Sequence, residues 1–337
     1  MNGQMQMRLN GTPNDPVVGW AMSARMAALG VVLSLTSVSA AETSAPLLVG
    51  EGVVDISPPL GTALGGFHYS DPTRPRVTTA IHYPPEVRAL VLSRSKISMA
   101  IISFDMLNVS FAMVRDVQTR IKSQLGIPAR HVRICATHAH SMPSIAFNRH
   151  WGDNNPEYEE TVARAMVKAV QLALKDQSAT RLFVGTARAV GANVNRTVRS
   201  GARSDAEFTA ESTEKDRWVD ASLHVLHFER GGGKGNLLWY NFAAHPTTYG
   251  GSGAAGPGWP GVVQKRLRAT FGVSASYLQG HIGDISPTGR ERTATLVTSA
   301  IVDAVASARE VPVDVLRVET QLVALPFDLE TFRKNIA

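Results

Sequence analysis

Two of the chain's ten histidines stand one residue apart, in Thr137-His138-Ala139-His140-Ser141, where the apolar run 131–137 ends. Side chains at i and i+2 of a strand project from the same face. The run therefore predicts two imidazoles side by side, able to hold one metal ion or one reacting group. A third histidine ends a second apolar run, in Asn241-Phe242-Ala243-Ala244-His245-Pro246-Thr247, and Pro246 takes the backbone out of regular structure there. His-x-His alone is a moderate signal, and a single strand-end histidine is more often a satisfied polar group than a ligand. Two strands ending in the same way point to a shared site.

Two further segments carry candidate chemistry. In Gly280-His281-Ile282-Gly283-Asp284-Ile285-Ser286-Pro287 a strand breaks into a glycine-flanked turn that presents Asp284 and Ser286. Glycine lets backbone N–H groups approach a ligand, and a hydroxyl there suits a nucleophile or an oxyanion donor. The G-x-S-x-G spacing of serine esterases is absent, and plain turn chemistry is the alternative reading. In Gly191-Ala192-Asn193-Val194-Asn195-Arg196, the arginine at the loop's start can clamp a carbonyl or carboxylate, with solvated surface as its alternative. Asp105 and Asp284, at strand ends near the same place, are read either as orienting their neighbours or as turn-makers.

The elements that must position these groups alternate along the chain. Apolar β-branched runs predict strands over 87–93, 98–106, 131–137, 181–190, 223–229, 236–243 and 275–279, and a long final strand over 315–325. Helical spacing marks 109–125, closed by Gly126-Ile127-Pro128, then 156–175, opened by Pro156, then 259–270 and 293–308. Gly231-Gly232-Gly233 predicts a hairpin turn between two strands. No solenoid period is present. The fold class is α/β: a layered mixed β-sheet flanked by helices, in a single catalytic-type domain over 45–337. Two long irregular stretches, 144–155 and 193–218, follow strand ends, where sites of such folds sit. Asp328 to Ala337 reads as the opening of a helix with no stop signal.

Composition narrows the class. The chain has 337 residues, 44% of them apolar and 18% charged, ordinary for a globular protein and wrong for a disordered one. The formal charge of +6 comes without a basic block interleaved with aromatics, which argues against nucleic acid as a partner. Arg25, the apolar run 26–38 and Val38-Ser39-Ala40 form a leader with a cleavage site near Ala40 or Ala41, so residues 1–41 are expected to be an extension and signal peptide, and the mature protein secreted or periplasmic. A buried core helix is the alternative for that run. The single cysteine, Cys135, forms no intrachain disulfide, and its strand parity turns it away from His138 and His140.

Together THAHS, NVNR, NFAAHPT and GDISP, with the opening Val49-Gly50-Glu51-Gly52-Val53-Val54-Asp55-Ile56-Ser57-Pro58 and Gly65-Gly66-Phe67, resemble the catalytic domain of the neutral/alkaline, non-lysosomal ceramidases from about Leu48 onward. The resemblance implies an exported zinc amidase that cleaves N-acylsphingosine, or a related long-chain amide, and works against a lipid-like substrate with contact to a membrane surface. Carried over by motif, His138 and His245 match zinc-binding histidines, His140 the histidine beside the metal, Arg196 an active-site arginine and Ser286 the serine assigned as catalytic. Ala139 stands where the family has Thr, Met142 where it has Gly, and Thr288 where it has Asn. The family's remaining ligands, a Glu and a Tyr, and its immunoglobulin-like domain are expected beyond Ala337, so the chain is read as C-terminally truncated. Neither Glu319, inside the last predicted strand, nor Tyr249, close behind His245, is spaced to replace those ligands. Two other readings stand beside this one. A metal-dependent amidohydrolase barrel also uses His-x-His, but near the start of an eightfold βα pattern that is missing here. A non-catalytic lipid-binding or interaction protein would keep the fold without turnover.

Overall fold

The computed structural model describes residues 45–67, 74–145, 151, 154–197, 219–247, 252–321, 324 and 329–330. They belong to the unit Ala41–Ala337. The expected signal peptide, most of the two long loops, Tyr249 and most of the C-terminal segment after residue 321 lie outside the described residues. In chain order the strands are β1 (Leu48–Asp55), β2 (Ala80–Ile81), β3 (Glu86–Arg94), β4 (Ile97–Phe104), β5 (Val132–Ala136), β6 (Ser178–Arg188), β7 (Asn193–Asn195), β8 (Ser222–Arg230), β9 (Leu237–Phe242), β10 (Ala254–Ala255), β11 (Ser274–Gln279), β12 (Ile285–Pro287) and β13 (Arg309–Glu310). The helices are α1 (Phe111–Leu125), α2 (Pro156–Asp176), α3 (Trp259–Phe271) and α4 (Arg290–Ala306).

Helix boundaries follow local chemistry. Ser110 caps α1 through the Met113 N–H at 3.1 Å, and Gly126 ends it at φ 75°. Asn155 caps α2 through Tyr158 N–H at 3.0 Å, with Pro156 in the first turn and Glu157 and Glu159 facing the helix's positive end.

The main sheet runs β11-β9-β8-β6-β1-β3-β4-β5, with β13 added to β6. Pairs β4/β5 and β9/β11 are parallel and the other pairs in this order antiparallel, so the sheet is mixed as expected. Its two halves meet through only two residue pairs, Leu48↔Ala179 and Val49↔Ser178. Side-chain parity then defines the layers. On β3, Val87, Ala89 and Val91 face α1 and α2, while Leu90 and Leu92 join Trp239, Leu237 and Phe228 of the other half. On β9, Leu238, Tyr240 and Phe242 face α3 and α4. The protein is thus stacked helix, sheet, sheet, helix. Strands covered on both faces explain why β3 and β9 read as continuous apolar runs instead of alternating ones.

The halves repeat one topology. β1, β3, β4, α1, β5, α2 in the first correspond to β6, β8, β9, α3, β11, α4 in the second, with the same strand neighbours. Even the closest contacts correspond. A Cβ on Gly52 would lie 2.0 Å from the Ala169 carbonyl of α2, and one on Gly185 would lie 2.0 Å from the Ala304 carbonyl of α4. Each half seats its second helix directly on a strand backbone through glycine.

The polar exceptions in the sheet–sheet layer are paired. Glu51 accepts from Trp239 Nε1 at 2.9 Å, from Ser276 Oγ at 2.7 Å and from Arg88 at 3.3 Å, and Arg88 also reaches Glu86 at 2.6 Å. Such full pairing is what a buried charge requires.

The expected final strand over 315–325 is corrected where it is described: residues 315–321 and 324 have no strand. Val315 is 74% exposed, and the segment meets the β5 end through side chains, Arg133 donating to Thr320 Oγ1 at 2.8 Å and Thr320 Oγ1 donating to the Arg130 carbonyl at 3.3 Å. Without a ladder to join, an apolar β-branched run stays irregular. Glu319 accordingly sits on an exposed coil beside Arg317.

Candidate metal centre

Both parallel strand pairs point their C-terminal ends at the same place. β5 stops at Ala136, so the two histidines lie beyond the strand and not on it. The expected shared strand face is therefore corrected. Thr137 N–H and Ala139 N–H still bond the Phe104 and Met106 carbonyls, at 2.9 and 3.1 Å, but between them His138 takes φ 64°. This left-handed conformation is uncommon for a side chain of this kind and costs about 1–2 kcal/mol. It turns the chain so that His138 and His140 converge, ring centroids 4.6 Å apart. His245, beyond β9, completes the group at 5.0 Å from His138 and 5.3 Å from His140. One ligand atom from each of the three lies within 4.8 Å of the others.

The ring nitrogens show how the group is poised. A carbonyl oxygen only accepts, so His138 Nδ1–H donates to the Leu107 carbonyl and His245 Nδ1–H to the Ile285 carbonyl, each at 2.7 Å. Both tautomers are fixed, leaving Nε2 as the free lone pair, the usual support for a ligating imidazole. His140 Nε2 lies 3.0 Å from His138 Nε2. Two lone pairs that close need a proton or a cation between them. Two nitrogens on a tetrahedral zinc, each about 2.0–2.1 Å from the ion, would be roughly 3.3 Å apart. Burial lowers the pKa of all three rings. His245 falls to about 4, with Arg196 and His138 adding repulsion, and His140 to about 3, with His138 and His245 adding it. His138 is lowered by burial and then by Arg196. Three neutral imidazoles facing one point fit a borderline metal such as zinc.

Arg196 arrives from β7. Its N–H donates to the Asp284 carbonyl at 2.7 Å, its Nη2 to the Gly283 carbonyl at 2.8 Å, and the same Nη2 lies 3.5 Å from His245 Nε2. The expected irregular stretch 193–218 thus begins as β7, paired with β12 so that Ser286 lies opposite Val194. Asp284 holds this arrangement by accepting from Asn195 Nδ2 at 2.9 Å. Ser286 is half-buried and follows Ile285, whose carbonyl anchors His245, but its hydroxyl makes no hydrogen bond among the described residues. The structure therefore brings His138, His140, His245 and Arg196 together and sets Ser286 next to their support.

Asp105 is a neighbour of a different kind. It is half-buried, accepts from Glu86 N–H at 2.9 Å and Thr137 Oγ1 at 3.1 Å, and burial raises its pKa to about 7. It braces the turn that leads into His138. Cys135 is half-buried, its thiol pushed up by burial, and is not one of the three grouped side chains. Ala139 and Met142 are fully buried in the first half's core, so both departures from the motif are packing changes. Sequence reasoning missed Arg76 and the contact of Gly66 with His140: an arginine in the loop stretch Arg74-Pro75-Arg76 gives no signal of its partners, and Gly65-Gly66-Phe67 gives only that of a turn.

A family model described as neutral/alkaline non-lysosomal ceramidase, N-terminal, matches residues 47–254. The fold is similar to the crystal structure of neutral ceramidase from Pseudomonas aeruginosa, with a TM-score of 0.66 and 20% identity over 79% of this chain and 46% of that one. It is similar also to a ceramidase complexed with C2, with a TM-score of 0.64 and 19% identity over 79% of this chain and 45% of that one. The chain spans about half the length of these solved structures. No curated relative matches by sequence.

Proposed function

This chain belongs to the neutral/alkaline non-lysosomal ceramidase family, and from that premise we propose that it is a zinc-dependent amide hydrolase acting on N-acylsphingosine or a related long-chain amide. The observation that carries the reading is the convergence of three neutral imidazoles, two with Nδ1 locked to backbone carbonyls, beside the Arg196 guanidinium. His138 and His245 would hold the metal, with His140 beside it. Bound there, zinc would polarise the amide carbonyl and lower the pKa of its water.

The chain's own groups supply the remainder. Arg196, fixed through the Gly283 carbonyl, presents a permanent cation where negative charge develops on the substrate oxygen. His140, uncharged at neutral pH, accepts a proton at Nε2 and passes it to the leaving amine. The Ser286 hydroxyl, on β12 next to the His245 support, is assigned to act on the scissile amide. The acyl substrate is brought by contact with a lipid surface after export, an assignment supported by the leader and its cleavage site near Ala40 or Ala41.

The test is hydrolysis of N-acylsphingosine by the purified protein with zinc, beside His245→Ala. Release of sphingosine by the wild type and its loss in the variant are expected. Turnover that survives in a metal-free His245→Ala protein would overturn the mechanism.

A further inference from the structure

His138 and His245 are each anchored by an Nδ1–carbonyl bond, but His140 is not. Its Nδ1 is buried near the Gly66 carbonyl without a well-formed hydrogen bond. Its ring must therefore be placed by its backbone and its walls, and both lead to Arg76. This residue is 7% exposed. Its Nη2 donates to the His140 carbonyl at 2.5 Å and the Gly65 carbonyl at 2.7 Å. Its Nη1 donates to the Ser252 carbonyl at 3.0 Å and to Ser141 Oγ at 3.3 Å. The guanidinium also lies 5.0 Å over the Phe67 ring, which meets the His140 ring edge-on at 5.4 Å. Gly66, at φ 96°, closes the assembly, for a Cβ there would come within 2.6 Å of His140 Cα. One planar fork thus ties together three segments remote in sequence: the Gly65–Phe67 turn, the His140–Ser141 turn and Ser252.

We propose that Arg76 is the positioning residue of His140. It fixes the backbone of that residue and, through Phe67, the wall beside its ring, so that His140 Nε2 stays directed at His138 Nε2. Only a guanidinium meets this geometry. It offers five N–H donors at fixed angles in a plane, whereas lysine offers three donors from one point. The inference rests on reading the three histidines as one site.

The experiment compares the wild type with Arg76→Lys and Arg76→Ala, using the metal-free full chain labelled on histidine and nitrogen-detected NMR of the imidazoles, with His140→Gln to assign the signal. In Arg76→Lys, the His140 resonances are expected to shift and broaden while those of His138 and His245 hold. Zinc affinity, read by chelator competition, is expected to change by less than about tenfold, because His138 and His245 keep their carbonyl anchors. Guanidinium ion added to Arg76→Ala is expected to restore part of the His140 signal. An unchanged His140 spectrum in folded Arg76→Lys would overturn the proposal. A wild type that binds no zinc would instead count against the metal reading, while the imidazole spectrum still decides the role of Arg76. Should Arg76→Ala fail to fold, Arg76→Lys carries the same decision.

Discussion

Replacing Asp105 by Asn removes a half-buried carboxyl that the fold holds between Glu86 and Thr137. Burial raises the pKa of this group from an ordinary 3.8 to about 7, outweighing the hydrogen bond from the Glu86 N–H and the nearby Arg88. A raised folded-state pKa contributes stability that is fully present below the unfolded value and is lost as pH rises through the folded value. The wild type should therefore lose stability between about pH 4 and pH 8, by the gap between 3.8 and about 7. At roughly 1.4 kcal/mol per pH unit that is about 4 kcal/mol at most. Asparagine can replace the protonated acid bond for bond, its Oδ1 accepting from the Glu86 N–H and its Nδ2 donating to Thr137 Oγ1. Asp105→Asn should be the more stable by only about 1–2 kcal/mol at pH 5 and by about 4 kcal/mol at pH 8. Urea unfolding at pH steps from 5 to 8 measures this directly. Parallel curves of unfolding free energy against pH would refute the argument, because they would mean that Asp105 is as solvated in the fold as out of it.

Two other perturbations follow from close contacts and strain. Gly52→Ala places a methyl 2.0 Å from the Ala169 carbonyl, and Gly185→Ala does the same against Ala304; each should destabilise by about 3 kcal/mol or more, while Gly283→Ala, with nothing within 4 Å, should change little by chemical denaturation. His138→Asn keeps a residue that tolerates φ 64°, and should gain about 1 kcal/mol in thermal unfolding while zinc affinity is lost. A variant that loses both stability and zinc would show that His138 is not strained.

Much of the fold is legible in the sequence because its signals are local. Ser110 and Gly126 bracket α1, Pro156 opens α2, and the glycine turn joins β8 to β9. β1 is not legible in that way. Gly50 and Gly52 weaken a strand by propensity, and their reason is the backbone of α2, which arrives only in the folded state. The repeat of one topology in two halves leaves no sequence period, since it is carried by strand order. The final predicted strand failed for the complementary reason: apolar β-branched residues are present without a sheet edge that takes them.

The site shows the same division. Two strand-end histidine motifs predict a shared centre, and His138, His140 and His245 do converge. The means of convergence is not a strand face but one left-handed residue, a backbone property that parity arguments do not see. Arg196 reaches His245 through β7, a short strand inside what reads as a loop. Arg76 is illegible altogether, because its partners are carbonyls supplied by three distant turns.

The central claim is that these three imidazoles form a metal centre, and metal content tests it most directly. Zinc should be measured by atomic emission on the purified protein after dialysis against zinc and removal of the free ion, beside His245→Ala. The account predicts close to one zinc per chain in the wild type and none in the variant. A correctly folded wild type that retains no zinc, or a His245→Ala protein that retains as much as the wild type, would contradict it.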